Sequence, residues 1–206
     1  MSSVHTFPLG PLQTNCYLVT NGDEALVVDP GGAPDAVLNF AASKNLQIRL
    51  ILNTHLHFDH LYGNQALHLA TKAPIRVPEK DVPLLASGIG GGNYMGMPKV
   101  ETFTYEPINE GELSLIGLEC RALSTPGHSP GSLSFYFPEL GAVFVGDVLF
   151  AGSIGRTDFF GGDLETLLGA VRTRLFPLPP ETVVYPGHGP ATTIQEEQRT
   201  NPFFEE

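Results

Sequence analysis

Basic residues are scarce in this 206-residue sequence: 11 Lys and Arg stand against 22 Asp and Glu, a formal charge of −11. The bases are scattered rather than gathered in a stripe, so a phosphate-rich polymer would be repelled, which argues against a nucleic-acid partner. Cysteine is nearly absent. Cys16 and Cys120 lie in apolar strand-like runs and outside any CxxC pair, and are expected to be reduced core thiols, with one disulfide between them as the alternative. No window approaches the run of about 18 apolar residues that a membrane helix needs, and Met1-Ser2-Ser3-Val4-His5 lacks the basic start and apolar core of a signal peptide. The expectation is a soluble, cytoplasmic chain without a membrane partner, monomeric or a small homo-oligomer.

What is present suffices for a core. At 42% hydrophobic residues the chain is expected to form one domain over residues 1–206. Strands are predicted over Val4 to Leu9, Cys16 to Thr20 and Glu24 to Asp29, with a hairpin turn at Asn21-Gly22-Asp23. Pro34 to Lys44 suits a helix with Ala36, Val37, Phe40 and Ala41 on one face, followed by a buried strand from Ile48 to Leu52. The second half repeats this logic, with strands over Leu113 to Ile116, Leu118 to Leu123, Leu133 to Phe137, Ala142 to Val145 and Thr182 to Tyr185. Asp163 is placed as the N-cap of a helix reaching Leu175. Strands then a helix, twice, predicts two sheets face to face with helices on the outer sides.

The glycine-rich stretch from Ser87 to Met97 is expected to be a mobile surface loop rather than an element; the sharper alternative is a lid bringing Tyr94 and Met95 over a substrate. It lacks the Gly-Lys-Ser/Thr of a phosphate loop.

Chemistry concentrates at strand ends. Thr54-His55-Leu56-His57-Phe58-Asp59-His60 follows the apolar run ending at Leu52, and alternation along an extended segment lets His55 and His57 point to one side. Asp59 and His60 come as the chain turns into Leu61-Tyr62-Gly63. Further candidates are His128 in Pro126-Gly127-His128, Asp147 in Val145-Gly146-Asp147, and His188 in Pro186-Gly187-His188. Any one such histidine alone is more often a surface or core residue. Five of the seven histidines in these glycine-flanked segments make chance a poor account, whereas His5 and His68 read as structural. Imidazole and carboxylate suit zinc, iron or manganese. With Asp147 shared, His55, His57 and His128 would serve one ion and Asp59, His60 and His188 a second, about 3.5 to 4 Å away.

Taken together, the segment 54–60, Gly127-His128, Gly146-Asp147 and Gly187-His188 resemble the full signature of the metallo-β-lactamase-fold hydrolases. The resemblance spans nearly the whole chain and implies an α/β fold, a four-layer αββα sandwich. Gly146-Asp147-Val148-Leu149-Phe150 and Gly155-Arg156-Thr157-Asp158-Phe159 are similar to the glyoxalase II and persulfide dioxygenase branches. The short chain and Asn201-Pro202-Phe203-Phe204 look most like compact bacterial glyoxalase II-like proteins, the hydroxyacylglutathione hydrolases.

That branch implies hydrolysis of a glutathione or related thiol thioester such as S-lactoylglutathione, with two divalent ions, zinc first and iron or manganese as alternatives. A metal lowers the pKa of water towards about 7 and polarises the carbonyl. A thiol of pKa about 8.5 departs as thiolate without a strong acid. Asp59 is expected to serve as ligand and to carry a proton during turnover. Larger glyoxalase II enzymes grip glutathione with a C-terminal helical region that this chain is too short to contain. Arg156 is then the best anion contact, its alternative being an ion pair with Asp158; Lys99 and Arg121 are weaker candidates. Asp29 is read as capping the turn that follows it, in preference to orienting a ligand.

The main rival is a persulfide dioxygenase with one iron on His55, His128 and Asp147. A metal-binding protein without turnover ranks lower. True β-lactamase activity is disfavoured because such enzymes are normally exported, and the nuclease branch by the acidic charge.

Overall fold

Alternating apolar positions and a tight glycine turn at the start of the chain build an antiparallel meander of β1 (Ser2–Leu9), β2 (Thr14–Asn21) and β3 (Glu24–Val28). Gly22, at φ +63°, closes the β2–β3 hairpin. The pairing then becomes parallel. Helix α1 (Asp35–Ser43) crosses over to β4 (Gln47–Leu52), and α2 (Asn64–Thr71) crosses to β5 (Ile75–Pro78). With β6 (Glu106–Ile108) these strands form one six-stranded sheet in sequence order.

The computed structural model describes residues 2–94 and 96–205. It divides into two compact units, Met1–Ile108 with Leu115–Leu118, and Asn109–Ser114 with Glu119–Glu206. No helix among the described residues is long and apolar enough to cross a membrane.

In the first unit Leu18, Val27, Ile51, Leu56, Leu67 and Ile75 are buried in one cluster. Burial of each large side chain contributes about 1.5–3 kcal/mol. Helix α1 presents Val37 and Ala41 to this cluster with Leu38 and Phe40 partly buried, while Ala36 is exposed, so its inward face is turned slightly from the predicted one. Cys16 lies here, free and fully buried; burial and then the nearby Asp29 push its thiol pKa up. The glycine-rich stretch departs from expectation. Gly88–Gly91 forms a short helix, α3, with the Ser87 hydroxyl accepting from the Gly90 amide at 3.3 Å. Gly90 is buried against the carbonyls of Leu84 and Leu56, where a Cβ would not fit, so close packing rather than freedom selects glycine there. Tyr94 is half-buried against the core; Met95, the other proposed lid residue, lies outside the described residues.

The second unit is built around another six-stranded sheet. Its order is β14 (Thr192–Thr193), β13 (Val183–Pro186), β10 (Ala142–Gly146), β9 (Leu133–Phe137), β8 (Leu118–Ser124) and β7 (Gly111–Leu115). Strands β10 and β13 run parallel, so their carboxyl ends open on the same side. A separate hairpin, β11 (Leu149–Phe150) with β12 (Ser153–Ile154), follows β10. Phe137 packs edge-on against Phe144, which stacks on Tyr185. Helix α4 (Leu164–Ala170) is capped as predicted, the Asp163 carboxylate accepting from the Thr166 amide at 2.8 Å. It continues to Leu175 as a π-turn, in which Phe176 N–H reaches the Val171 carbonyl. Helix α5 (Ile194–Thr200) completes the unit. Cys120, the other free thiol, is buried here, and burial raises its pKa.

Candidate metal centre

Strand β4 delivers the histidine-rich segment to the carboxyl edge of the first sheet, where parallel strands leave a crevice suited to ligands. Leu56 turns into the core, fully buried, so its neighbours His55 and His57 face the other way, with ring centroids 4.6 Å apart. The chain then tightens into a single 3-10 turn, Phe58–His60, which brings the His60 ring to 4.1 Å from that of His55. The structure thus gathers all four first-unit candidates, and all are buried. His5 and His68 stay apart as expected: His5 meets Ser3 and the Phe40 ring, and His68 Nδ1 donates to the Ala73 carbonyl.

Asp29 is the correction. Rather than capping its turn it reaches the histidine segment: Oδ1 accepts from the Thr54 amide at 2.8 Å, and Oδ2 accepts from Thr54 Oγ1 at 2.6 Å and His60 Nδ1 at 3.0 Å. The parallel register of β3 with β4, Val28 opposite Leu52, places it there. Asp29, His55 and His60 hold ligand atoms within 4.8 Å of one another. The Asp29 oxygens are nonetheless engaged by three donors, which makes it an orienting group. Because the Thr54 hydroxyl gives its one proton to Asp29, its oxygen must accept from His55 Nδ1, 3.0 Å away. Both rings therefore carry Nδ1–H and present Nε2 as a lone pair, the state a metal ligand requires.

Three further groups brace the segment without any sequence signal: Thr14 Oγ1 donates to Asp59 Oδ2 at 3.2 Å, buried Asp81 accepts from the Leu56 amide at 3.2 Å, and Asn53, whose Oδ1 accepts from Asn64 Nδ2, donates through Nδ2 to the His60 carbonyl. Gly31 packs on the Asp59 carbonyl so closely that a Cβ would collide with it.

The second unit gathers the other three candidates. His128 sits in the turn between β8 and β9, closed by the Thr125 amide on the Ser132 carbonyl, while Asp147 follows β10 and His188 follows the parallel β13. His128 Nδ1 lies 2.7 Å from the Arg156 carbonyl, and a carbonyl only accepts, so this ring too carries Nδ1–H and offers Nε2. Asp147 Oδ2 stands 3.7 Å from His128 Nε2 and 3.6 Å from His188 Nε2, and in the first unit Asp59 Oδ2 stands 3.6 Å from His60 Nε2.

These separations test whether the residues fit a metal. Ligand atoms about 2.0–2.2 Å from a tetrahedral zinc stand roughly 3.3–3.6 Å apart. For His128–Asp147 and His60–Asp59 the facing atoms are two acceptors, which a hydrogen bond cannot join and a cation between them can. The donor set fits a divalent ion.

Arg156 takes the alternative its sequence allowed. Its guanidinium donates twice to Asp158, both bonds 2.7 Å, and lies 3.8 Å over the Phe159 ring. The hydrogen bonds from Arg156 are the largest cause holding the Asp158 pKa down at about 2. A folded-state pKa below the unfolded one contributes stability above the unfolded pKa and loses it as pH falls through the folded value. NMR titration should accordingly place the Asp158 midpoint near pH 2 and return it to the ordinary range of about 4 in Arg156→Gln. An ordinary midpoint in the unaltered protein would show that the pair does not persist in solution. Lys99 and Arg121 are not among the groups drawn together here; Arg121 pairs with Glu112 at the surface.

The family model described as the metallo-beta-lactamase superfamily matches residues 9–188, a span that holds all seven candidates. The chain belongs to the metallo-β-lactamase superfamily. As a superfamily member it is a metal-binding hydrolase of small molecules and has the superfamily's α/β fold with mixed sheets. It is 38% identical over 202 residues to the probable metallo-hydrolase YqgX of Bacillus subtilis, covering 96% of this chain and 95% of that one. It is 36% identical over 209 residues to the hydroxyacylglutathione hydrolase GloC of Haemophilus influenzae, covering 98% of each. Among solved structures, the crystal structure of BLEG-1 B3 metallo-beta-lactamase matches with a TM-score of 0.93 and 37% identity, covering 99% of this chain and 100% of that one. A di-iron-bound form of TTHA1623 matches at 0.87 and 40%, covering 97% and 99%. ETHE1 from Myxococcus xanthus matches at 0.76 and 29%, covering 97% and 83%.

Proposed function

We propose that the chain, acting as one domain over 1–206, is a binuclear thioester hydrolase of the hydroxyacylglutathione hydrolase type. In this reading His55, His57 and His128 hold one ion, Asp59, His60 and His188 the other, and Asp147 is shared. The observation that carries it is the fixing of Nδ1–H on His55, His60 and His128, which aims three Nε2 lone pairs at one kind of partner. Zinc is the first choice of metal; the di-iron form of a 40% identical neighbour keeps iron beside it. When bound, such ions supply a water of lowered pKa and a Lewis acid for the carbonyl.

The chain's own part is orientation and proton handling. Asp29 and the Arg156 carbonyl keep the imidazoles in register, Thr14 steadies Asp59, and Asp59 carries the proton released as the nucleophile attacks. The thiolate leaves without a strong acid, since its pKa of about 8.5 is low. Arg156 and Tyr94 are the proposed substrate contacts, Arg156 after exchanging Asp158 for a substrate carboxylate. A glutathione-derived substrate is supported by the 36% identity to GloC across nearly the full length, and the cytoplasm is the compartment proposed for it.

Elemental analysis with S-lactoylglutathione turnover tests the reading, with Asp59→Ala as control. Two ions per chain and hydrolysis are expected, and Asp59→Ala should lose one ion and at least about a hundredfold in turnover, part of what metal and proton transfer supply. Second-metal occupancy and hydrolysis unchanged by that substitution would defeat the assignment. One iron with stoichiometric oxygen uptake on glutathione persulfide would replace it with the dioxygenase chemistry of the ETHE1 relatives. Turnover of a chromogenic cephalosporin in preference to the thioester would replace it with that of the B3 lactamase.

A further inference from the structure

The β11–β12 hairpin links two parts of the second-unit site. It leaves from Asp147 and returns at Gly155 and Arg156, whose carbonyl fixes His128. Gly155 packs on the Asp147 carbonyl where a Cβ would collide, and its amide reaches the Val148 carbonyl at 3.3 Å, so the two ends of the hairpin are locked together. A displacement of the hairpin is therefore felt at both Asp147 and Arg156.

Its tip is held from helix α5. Glu197, 1% exposed, accepts from the Gly152 amide at 2.9 Å and from Asn201 Nδ2 at 2.7 Å on one oxygen, and from Thr192 Oγ1 at 2.6 Å on the other. Asn201, equally buried, also donates to the Ser153 carbonyl at 3.0 Å. Docking of α5 alone does not call for a carboxylate, because buried Ile194 and the amide bonds from Ile194 to Thr182 and from Gln195 to Pro180 already anchor it. A buried carboxylate is costly unless its lone pairs are met, and here three uncharged donors meet them with a geometry that allows one hairpin position.

We propose that Glu197, with Asn201, is a positioning residue for the metal centre: it pins the β11–β12 hairpin so that the Arg156 carbonyl holds His128 as the Nδ1–H tautomer. This rests on the metal reading above, but its first consequence is a property of the metal-free protein.

The test compares Glu197→Ala, Glu197→Gln and Thr193→Ala in the full chain, by competition with a zinc chelator and by 15N NMR of His128 in the metal-free state. Thr193 caps α5 through the Glu196 amide without touching the hairpin, so its alanine variant weakens the helix alone. Glu197→Ala should weaken zinc binding about 10–100-fold, the usual effect of losing an orienting partner, and let His128 populate both tautomers. Glu197→Gln should rescue both, since its carbonyl can accept from Gly152 and Asn201 while its amide donates to Thr192 Oγ1. Thr193→Ala should lower the melting temperature and leave affinity and tautomer unchanged. Should Glu197→Ala fail to fold, Asn201→Ala shows the same shift in smaller measure. A Glu197→Ala or Asn201→Ala protein with the affinity and His128 spectrum of Thr193→Ala would overturn the proposal. A parent protein that binds neither zinc, iron nor manganese would instead defeat the hydrolase reading, while the tautomer measurement would still decide this one.

Discussion

Asp147→Ala is expected to lower thioester hydrolysis by at least about a thousand-fold and to reduce the metal content below two ions per chain, with the secondary structure retained. Asp147 Oδ2 faces His128 Nε2 at 3.7 Å and His188 Nε2 at 3.6 Å, and in the proposed centre it is the ligand both ions share. Its loss weakens both positions at once. Lewis-acid stabilisation is worth several kcal/mol in the transition state, and about 1.4 kcal/mol corresponds to tenfold in rate. The fold should survive because Asp147 lies just after β10, whose Val143, Phe144 and Val145 are buried without it. Elemental analysis, circular dichroism and steady-state kinetics check this together. Activity within tenfold of the parent protein, with two ions still bound, would remove Asp147 from the shared position.

The ligand candidates were legible because their signals are local. A histidine or aspartate beside a glycine near the end of an apolar run marks a strand end wherever that strand goes in space; three such segments announce themselves independently, and the histidine-rich run after Leu52 makes a fourth. The groups that orient them were not. Asp29 lies 25 residues before Thr54, and only the parallel register of β3 with β4 reveals that they meet. Thr14, Asp81 and Glu197 likewise act across tertiary contacts, and nothing in their neighbours distinguishes them from ordinary polar residues.

Secondary structure divides along the same line. The long strands and the Asp163 cap follow from pattern and capping chemistry. Strands β5, β6 and β14 have four, three and two residues, too few for a period to show, and exist because a longer neighbour pairs with them. At Gly88–Gly91 composition misleads in the other direction. Glycine there reflects the close approach of two carbonyls to Gly90, and the segment is helical.

Asp29→Asn should separate orientation from stability. The substitution replaces one oxygen by an amide, and the Thr54 backbone N–H dictates which: as a donor it keeps the remaining oxygen at the Oδ1 position, so the new amide occupies the place of Oδ2. There it donates to Thr54 Oγ1 and to His60 Nδ1. His60 must then accept at Nδ1 and carry its proton on Nε2. Thr54, now receiving a proton from Asn at 29, turns its own towards His55 Nδ1, and that ring follows. Two ligand lone pairs are lost in one step, one from each proposed ion, while the Thr54 amide keeps its acceptor and the two contacts at the Oδ2 position persist with donor and acceptor exchanged. Metal affinity should fall about 100-fold or more at both positions, the upper end for losing an orienting partner, and hydrolysis with it. The melting temperature of the metal-free protein should stay close to that of its parent. Asp29→Ala, by contrast, strands the Thr54 amide and the His60 Nδ1–H in the interior, at about 1–3 kcal/mol each, and should unfold at lower urea as well. 15N NMR of the metal-free proteins reads the tautomers directly. If Asp29→Asn kept Nδ1–H on both rings and bound two ions with the parent affinity, the relay from Asp29 through Thr54 would not be what sets the ligands.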